Sequence, residues 1–115
     1  MSVKNVGCPV DLEEGLARAG DDREFYKELL EIFLDDVPER MKLLRNALKD
    51  GDGEQVARAA HAIKGAAANL SATQIFETAL QLEQWGREGQ LDQSAASIAS
   101  LDEALVELRA FLANF

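Results

Sequence analysis

Cysteine and histidine each occur once in this chain of 115 residues. A lone Cys8 rules out an internal disulfide, so the fold needs no oxidising compartment. The opening MSVKNVGCPV lacks the apolar core of a signal peptide, which makes cytoplasm the natural expectation. One histidine and one distant cysteine are too few for a usual zinc site, and no His-Glu-x-x-His spacing occurs. Basic residues are scarce as well: 12 Lys and Arg stand against 21 Asp and Glu, a net charge of −9. Such a surface repels nucleic acid and anionic membranes. No stretch approaches the roughly 20 apolar residues of a membrane span. No Walker loop or kinase-like glycine loop is present, so neither ATP binding nor self-phosphorylation is expected.

Aromatic residues make up only 6% and prolines number two, whereas 47% of the chain is hydrophobic. That balance suits a soluble folded protein, and one built of helices, because aromatic and β-branched residues are what a pleated surface favours. Residues 1–8 show no period and are expected to be a flexible lead-in to a single domain over 9–115. Asp11 to Ala19 forms a short amphipathic segment closed by Gly20. A long helix follows on the stripe Leu30, Phe33, Val37, Met41, Leu44, Leu48, whose phase is kept across Pro38. Asp52 is placed to cap a third helix with the stripe Val56, Ala60, Ile63, Ala67, Leu70. Ser71 with Gln74 has the capping-box pattern for a fourth helix, with Ile75, Ala79 and Leu82 inward and Gly86 and Gly89 ending it. The last helix runs from about Leu91 to Leu112 on Ile98, Leu101, Leu105, Leu108 and Leu112. Short connections make successive helices antiparallel, so the expected fold is all-α: an up-and-down four-helix bundle with a short extra N-terminal helix.

His61 points about 140° from the centre of its helix's apolar stripe at 100° per residue, outside a core-facing band roughly 100° wide. It should face solvent. Lys64 and Gly65 lie one turn further on, with Ala57 and Ala68 on the same side. A glycine inside an exposed helix costs about 1 kcal/mol relative to alanine. Local folding gives no reason for Gly65, but a second protein approaching the imidazole would. Lys64 places an ammonium where negative charge on His61 would sit. The next helix returns past this level with Glu83, whose carboxylate is positioned to accept from Nδ1 and leave Nε2 as a nucleophile.

Blander readings exist for each residue. A lone histidine on a helix surface is usually only a surface residue, Lys64 a solvated charge, and Glu83 a partner for Arg87 at i+4. Asp35, Asp36 and Glu39 read as a solvated face. Two further classes compete: a plain interaction bundle that docks a partner without phosphate, and a small hydrolase, for which only Glu83 offers a second group near His61.

The run Ala60-His61-Ala62-Ile63-Lys64-Gly65-Ala66-Ala67-Ala68-Asn69-Leu70 resembles the signature of the histidine phosphotransfer (HPt) family, His-x-aliphatic-Lys-Gly followed by small residues and Asn-Leu. Phe33-Leu34 with Pro38, and Leu82-Glu83 with Gly86-Arg87, extend the likeness over about residues 9 to 112. The family often has glycine where this chain has Ser71. The resemblance implies a helical phosphoryl carrier, not an enzyme, serving receiver domains and hybrid sensor kinases in a phosphorelay. On it, His61 is the phosphorylated residue, Lys64 the neighbouring cation, Gly65 the access position and Glu83 the partner of the imidazole. Mg²⁺ is implied on the receiver, with no cofactor or metal on this chain. Arg58, Lys64 and Asn69, with Ala57, Gly65 and Ala68, are the expected contact residues. A complete bundle has no need to dimerise, so a monomer is expected.

Overall fold

Asp11, Asp22 and Asp52 each accept a hydrogen bond from the backbone N–H three residues on, at 3.0 to 3.1 Å. These caps satisfy donors that a helix leaves unpaired at its start. They open α1 (Leu12–Arg18), α2 (Arg23–Lys49) and α3 (Gly53–Asn69), which α4 (Thr73–Arg87) and α5 (Leu91–Ala113) follow. A computed structural model describes residues 8–115, among which no strand occurs. α2 packs on α3 and α5, and α4 packs on the same two, so four helices close around one core with α1 against α2. The expected all-α bundle with a short N-terminal helix is the observed fold.

The apolar stripes meet inside. Leu30, Leu44, Ile63, Ile75, Leu82, Leu101 and Leu108 have no solvent exposure. Each contributes roughly 1.5–3 kcal/mol by leaving water. Leu48 and Leu112, at the ends of their stripes, are only partly buried.

α2 runs unbroken through Pro38. Proline has no N–H to offer the carbonyl four residues back, which strands the Leu34 oxygen. Arg109 of α5 reaches across and donates to it at 3.4 Å. The helix thus continues past Pro38 with its unpaired carbonyl answered from a neighbouring element.

Two turns differ from expectation. Ser71 is not the cap of α4; Ala72 holds that position and has no side chain able to accept a hydrogen bond. Ser71 instead ends α3 in the left-handed region, φ 55°, a place that normally favours glycine. The strained residue is tied down on every side. Its N–H donates to Ala68 O, its carbonyl accepts from Asp11 N at 2.8 Å, and its hydroxyl donates to Glu14 Oε1 at 2.6 Å. Gly86 does not end α4 either. It lies within the helix, where its backbone meets Gly53 so closely that a methyl group on it would sit 2.8 Å from both Gly53 O and Ala57 N. The true end is Gly89, with φ +70°.

Most of the 1–8 lead-in lies outside the described residues. At its edge Cys8 packs against the core, and Pro9 is buried.

Candidate functional site

The contact of Gly53 with Gly86 draws α3 and α4 together, and one turn before Gly86 the side chain of Glu83 enters the cleft between them. Glu83 is 2% exposed, and no apolar environment tolerates a lone carboxylate at that depth. Three donors surround it. Lys64 Nζ lies 2.7 Å from Oε1, while Arg87 Nη2 at 2.6 Å and His61 Nδ1 at 3.1 Å share Oε2. Burial acts most strongly on the Glu83 carboxyl and pushes its pKa up. Hydrogen bonds from Lys64 and His61, with the charges of Lys64 and Arg87, outweigh that and hold it below the ordinary carboxylate value.

The ionised carboxylate decides the state of the ring. A carboxylate accepts and cannot donate, so the His61 Nδ1 that faces it carries the hydrogen. In the neutral ring Nε2 then holds the free lone pair, on a side chain that is 64% exposed. The chemistry available is nucleophilic attack by Nε2 with the ring fixed from behind.

Around this pair the expected residues divide. Gly65 is exposed, and a methyl group on it would meet nothing within 4 Å. Arg58 and Asn69 are exposed and Ala68 partly so. Arg58 also borders a groove of about 390 Å³ between α2 and α3, shared with Arg40, Leu43, Asn46 and Ala62. Ala57 is not on the open face. It is 5% exposed, because its helical angle turns it onto Gly86 of α4, and it must be removed from the contact surface. Lys64 is only 21% exposed, with its ammonium on Glu83. Asp35, Asp36 and Glu39 are exposed, with Asp36 pairing to Arg40 at 2.8 Å. Arg87 is the residue that sequence reasoning undervalued. Its i+4 spacing from Glu83 signalled the contact, but only burial of the carboxylate gives that contact weight.

The oriented imidazole stands on an open face of the bundle. Residues 28–111 match the family model of the Hpt domain. The chain belongs to the Hpt family, whose members are phosphoryl carriers in two-component phosphorelays, and phosphotransfer is its function. Among solved structures it is similar to histidine-containing phosphotransfer protein B from Pseudomonas aeruginosa PAO1, at 25% identity and a TM-score of 0.84, covering 93% of both chains. It is also similar to a rice protein provisionally assigned as a histidine-containing phosphotransfer protein, at 20% identity and a TM-score of 0.80, covering 93% of this chain and 79% of that one. A search of curated proteins found no match.

Proposed function

We propose that His61 is the residue that carries the phosphoryl group, accepting it from and returning it to an aspartate of a receiver domain. The supporting observation is the pairing of His61 Nδ1 with buried, ionised Glu83, which leaves Nε2 as the nucleophile on an exposed ring. Attack on an acyl phosphate forms the Nε2–P bond and returns an electron pair to the aspartate. Little covalent chemistry is then left for the protein beyond positioning and charge. Lys64, one turn along α3 from His61, brings positive charge to the Glu83 carboxylate that holds the ring. Gly65 leaves space for the partner's loops, and Arg58, Ala68 and Asn69 supply contacts beside the ring.

On this reading residues 9–115 act as one cytoplasmic, monomeric domain with no kinase activity of its own. Receiver domains and a hybrid sensor kinase are its partners, and the Mg²⁺ used in transfer belongs to the receiver. The test is transfer from a ³²P-labelled phospho-receiver to the wild-type chain and to His61→Gln, with the acid stability of the label recorded. Acid-labile label on the wild type alone is the expected result. Transfer to His61→Gln, or to neither chain across a panel of receivers while both remain folded, would remove the phosphoryl from His61 and leave a docking bundle.

A further inference from the structure

His61 and Arg87 draw on one oxygen. Glu83 Oε2 accepts from Arg87 at 2.6 Å and from His61 at 3.1 Å, while Oε1 belongs to Lys64. An acceptor that serves two donors gives less to each, and a charged donor at short range takes the larger share. The two donors also differ in freedom: Lys64 is 21% exposed, but Arg87 is 66% exposed and lies at the rim of the cluster.

The sharing matters because the ring's charge changes during transfer. Attack requires the neutral imidazole, with its hydrogen on Nδ1 and the lone pair on Nε2. When the Nε2 lone pair forms the bond to phosphorus, the P–O bond of the donor acyl phosphate breaks and its electron pair goes to the aspartate carboxylate. Nδ1 keeps its hydrogen, so the phosphorylated ring carries a positive charge. On the return step the N–P pair goes back to Nε2 and the ring leaves neutral. The Nδ1–H···Oε2 bond is therefore charge-assisted from both sides only while the phosphoryl group is present.

We propose that Arg87 is a positioning residue that sets how far phosphorylation of His61 proceeds, by holding back part of the carboxylate charge that the phosphorylated ring uses. This rests on His61 being the phosphorylated residue. It predicts opposite effects at the two ends of one interaction. Removing the carboxylate disfavours phosphohistidine, whereas removing the arginine favours it. An arginine that simply attracted the phosphoryl group would behave in the reverse manner, and its loss would cost phosphohistidine.

The experiment equilibrates a phospho-receiver with the full chain and measures the ratio of phosphohistidine to phosphoaspartate. Wild type, Glu83→Gln, Arg87→Gln, Arg87→Lys and the Glu83→Gln/Arg87→Gln double variant are compared, with ¹⁵N spectra of the ring recording which nitrogen bears hydrogen. Arg87→Gln should raise the ratio on the order of three- to tenfold with Nδ1 still protonated, since a charged hydrogen bond is worth about twice a neutral one. Glu83→Gln should lower it, Arg87→Lys should restore it towards wild type, and Arg87→Gln should add nothing once Glu83 is an amide. A fall in the ratio with Arg87→Gln, or an equal rise in the Glu83→Gln background, overturns the proposal. A wild-type chain that takes no label from any receiver overturns the His61 assignment itself.

Discussion

Gly65→Ala separates what the bundle needs from what its partner needs. The added methyl group meets no atom within 4 Å, so the folded chain accommodates it without movement. Alanine in place of glycine inside a helix gains about 0.5–1 kcal/mol, chiefly by restricting the unfolded chain. With an unfolding entropy of roughly 2.1 cal/mol/K per residue near 60 °C, the 115-residue chain should gain about 2–4 °C in melting temperature. Phosphoryl transfer should change in the opposite direction. The new methyl projects from the exposed face of α3 one turn beyond His61, and on the proposed function a docked receiver has to come within bonding distance of Nε2 there. A misplacement of about 1 Å at a reacting centre can cost on the order of 100-fold in rate. The assays are thermal unfolding and the initial rate of transfer from a phospho-receiver, on the same preparation. A more stable variant that transfers at the wild-type rate would refute the assignment of Gly65 to partner access. A variant without the stability gain would refute the claim that nothing in the fold requires glycine there.

Gly86→Ala is the converse case. Its methyl group would lie 2.8 Å from two backbone atoms, Gly53 O and Ala57 N, so overpacking of about 1–3 kcal/mol should exceed any gain in helix propensity and lower the denaturant midpoint; an unchanged midpoint would count against the close contact of α3 and α4. Glu83 is held below its ordinary pKa in the fold, so the stability it confers is complete above the unfolded value near 4.5 and is lost as pH falls from there through the folded value. The difference in unfolding free energy between wild type and Glu83→Gln, followed from pH 7 to pH 3, should shrink on acidification, and a constant difference would contradict an ionised Glu83. Tyr26 titrates the other way: burial above all, then Cys8, Asp11 and Glu14, push its hydroxyl up to about 12 from 10.0. Its contribution, of order 2–3 kcal/mol, is complete below pH 10 and lost as pH rises towards 12. Tyr26→Phe should therefore be less alkali-sensitive than wild type in chemical denaturation.

The stripes of α2, α3, α4 and α5 were legible because a period of three to four is a one-dimensional signal. The core places Val56, Ala60, Ile63, Ala67 and Leu70 where that signal puts them. The level of Glu83 was legible for a similar reason, since a short turn and a constant rise fix which residues of two antiparallel helices face each other. Ala57, Gly86 and Ser71 were not. Ala57 sits 40° from His61 on an ideal helix, and angle alone cannot tell whether a neighbouring helix covers that shoulder. The backbone contact of Gly53 with Gly86 covers it, and a glycine near a helix end reads equally well as a terminator or as a packing residue. Ser71 followed a capping pattern, but the hydroxyl is taken by Glu14, a partner 57 residues away in sequence.

The cluster around Glu83 is a poor device for stability, and that bears on why it is there. Burying a carboxylate and its cations often costs more than their attraction returns, so an apolar side chain of similar volume at position 83 would serve the core as well or better. What an apolar residue cannot do is choose the imidazole tautomer. With Glu83 ionised, Nδ1 must donate, and in the neutral ring Nε2 is then the nitrogen without hydrogen. With a neutral amide, Nδ1 could bond to either the oxygen or the NH₂, and the second choice would put the hydrogen on the nitrogen that has to attack. Lys64 and Arg87 make the ionised form affordable at 2% exposure, and the glycine contact between α3 and α4 brings the carboxylate within 3.1 Å of the ring. Packing, charge balance and tautomer are thus one arrangement. Its parts can be distinguished by substitution: Gly86→Ala should disturb both stability and transfer, whereas Glu83→Gln should impair transfer far more than a simple loss of stability would.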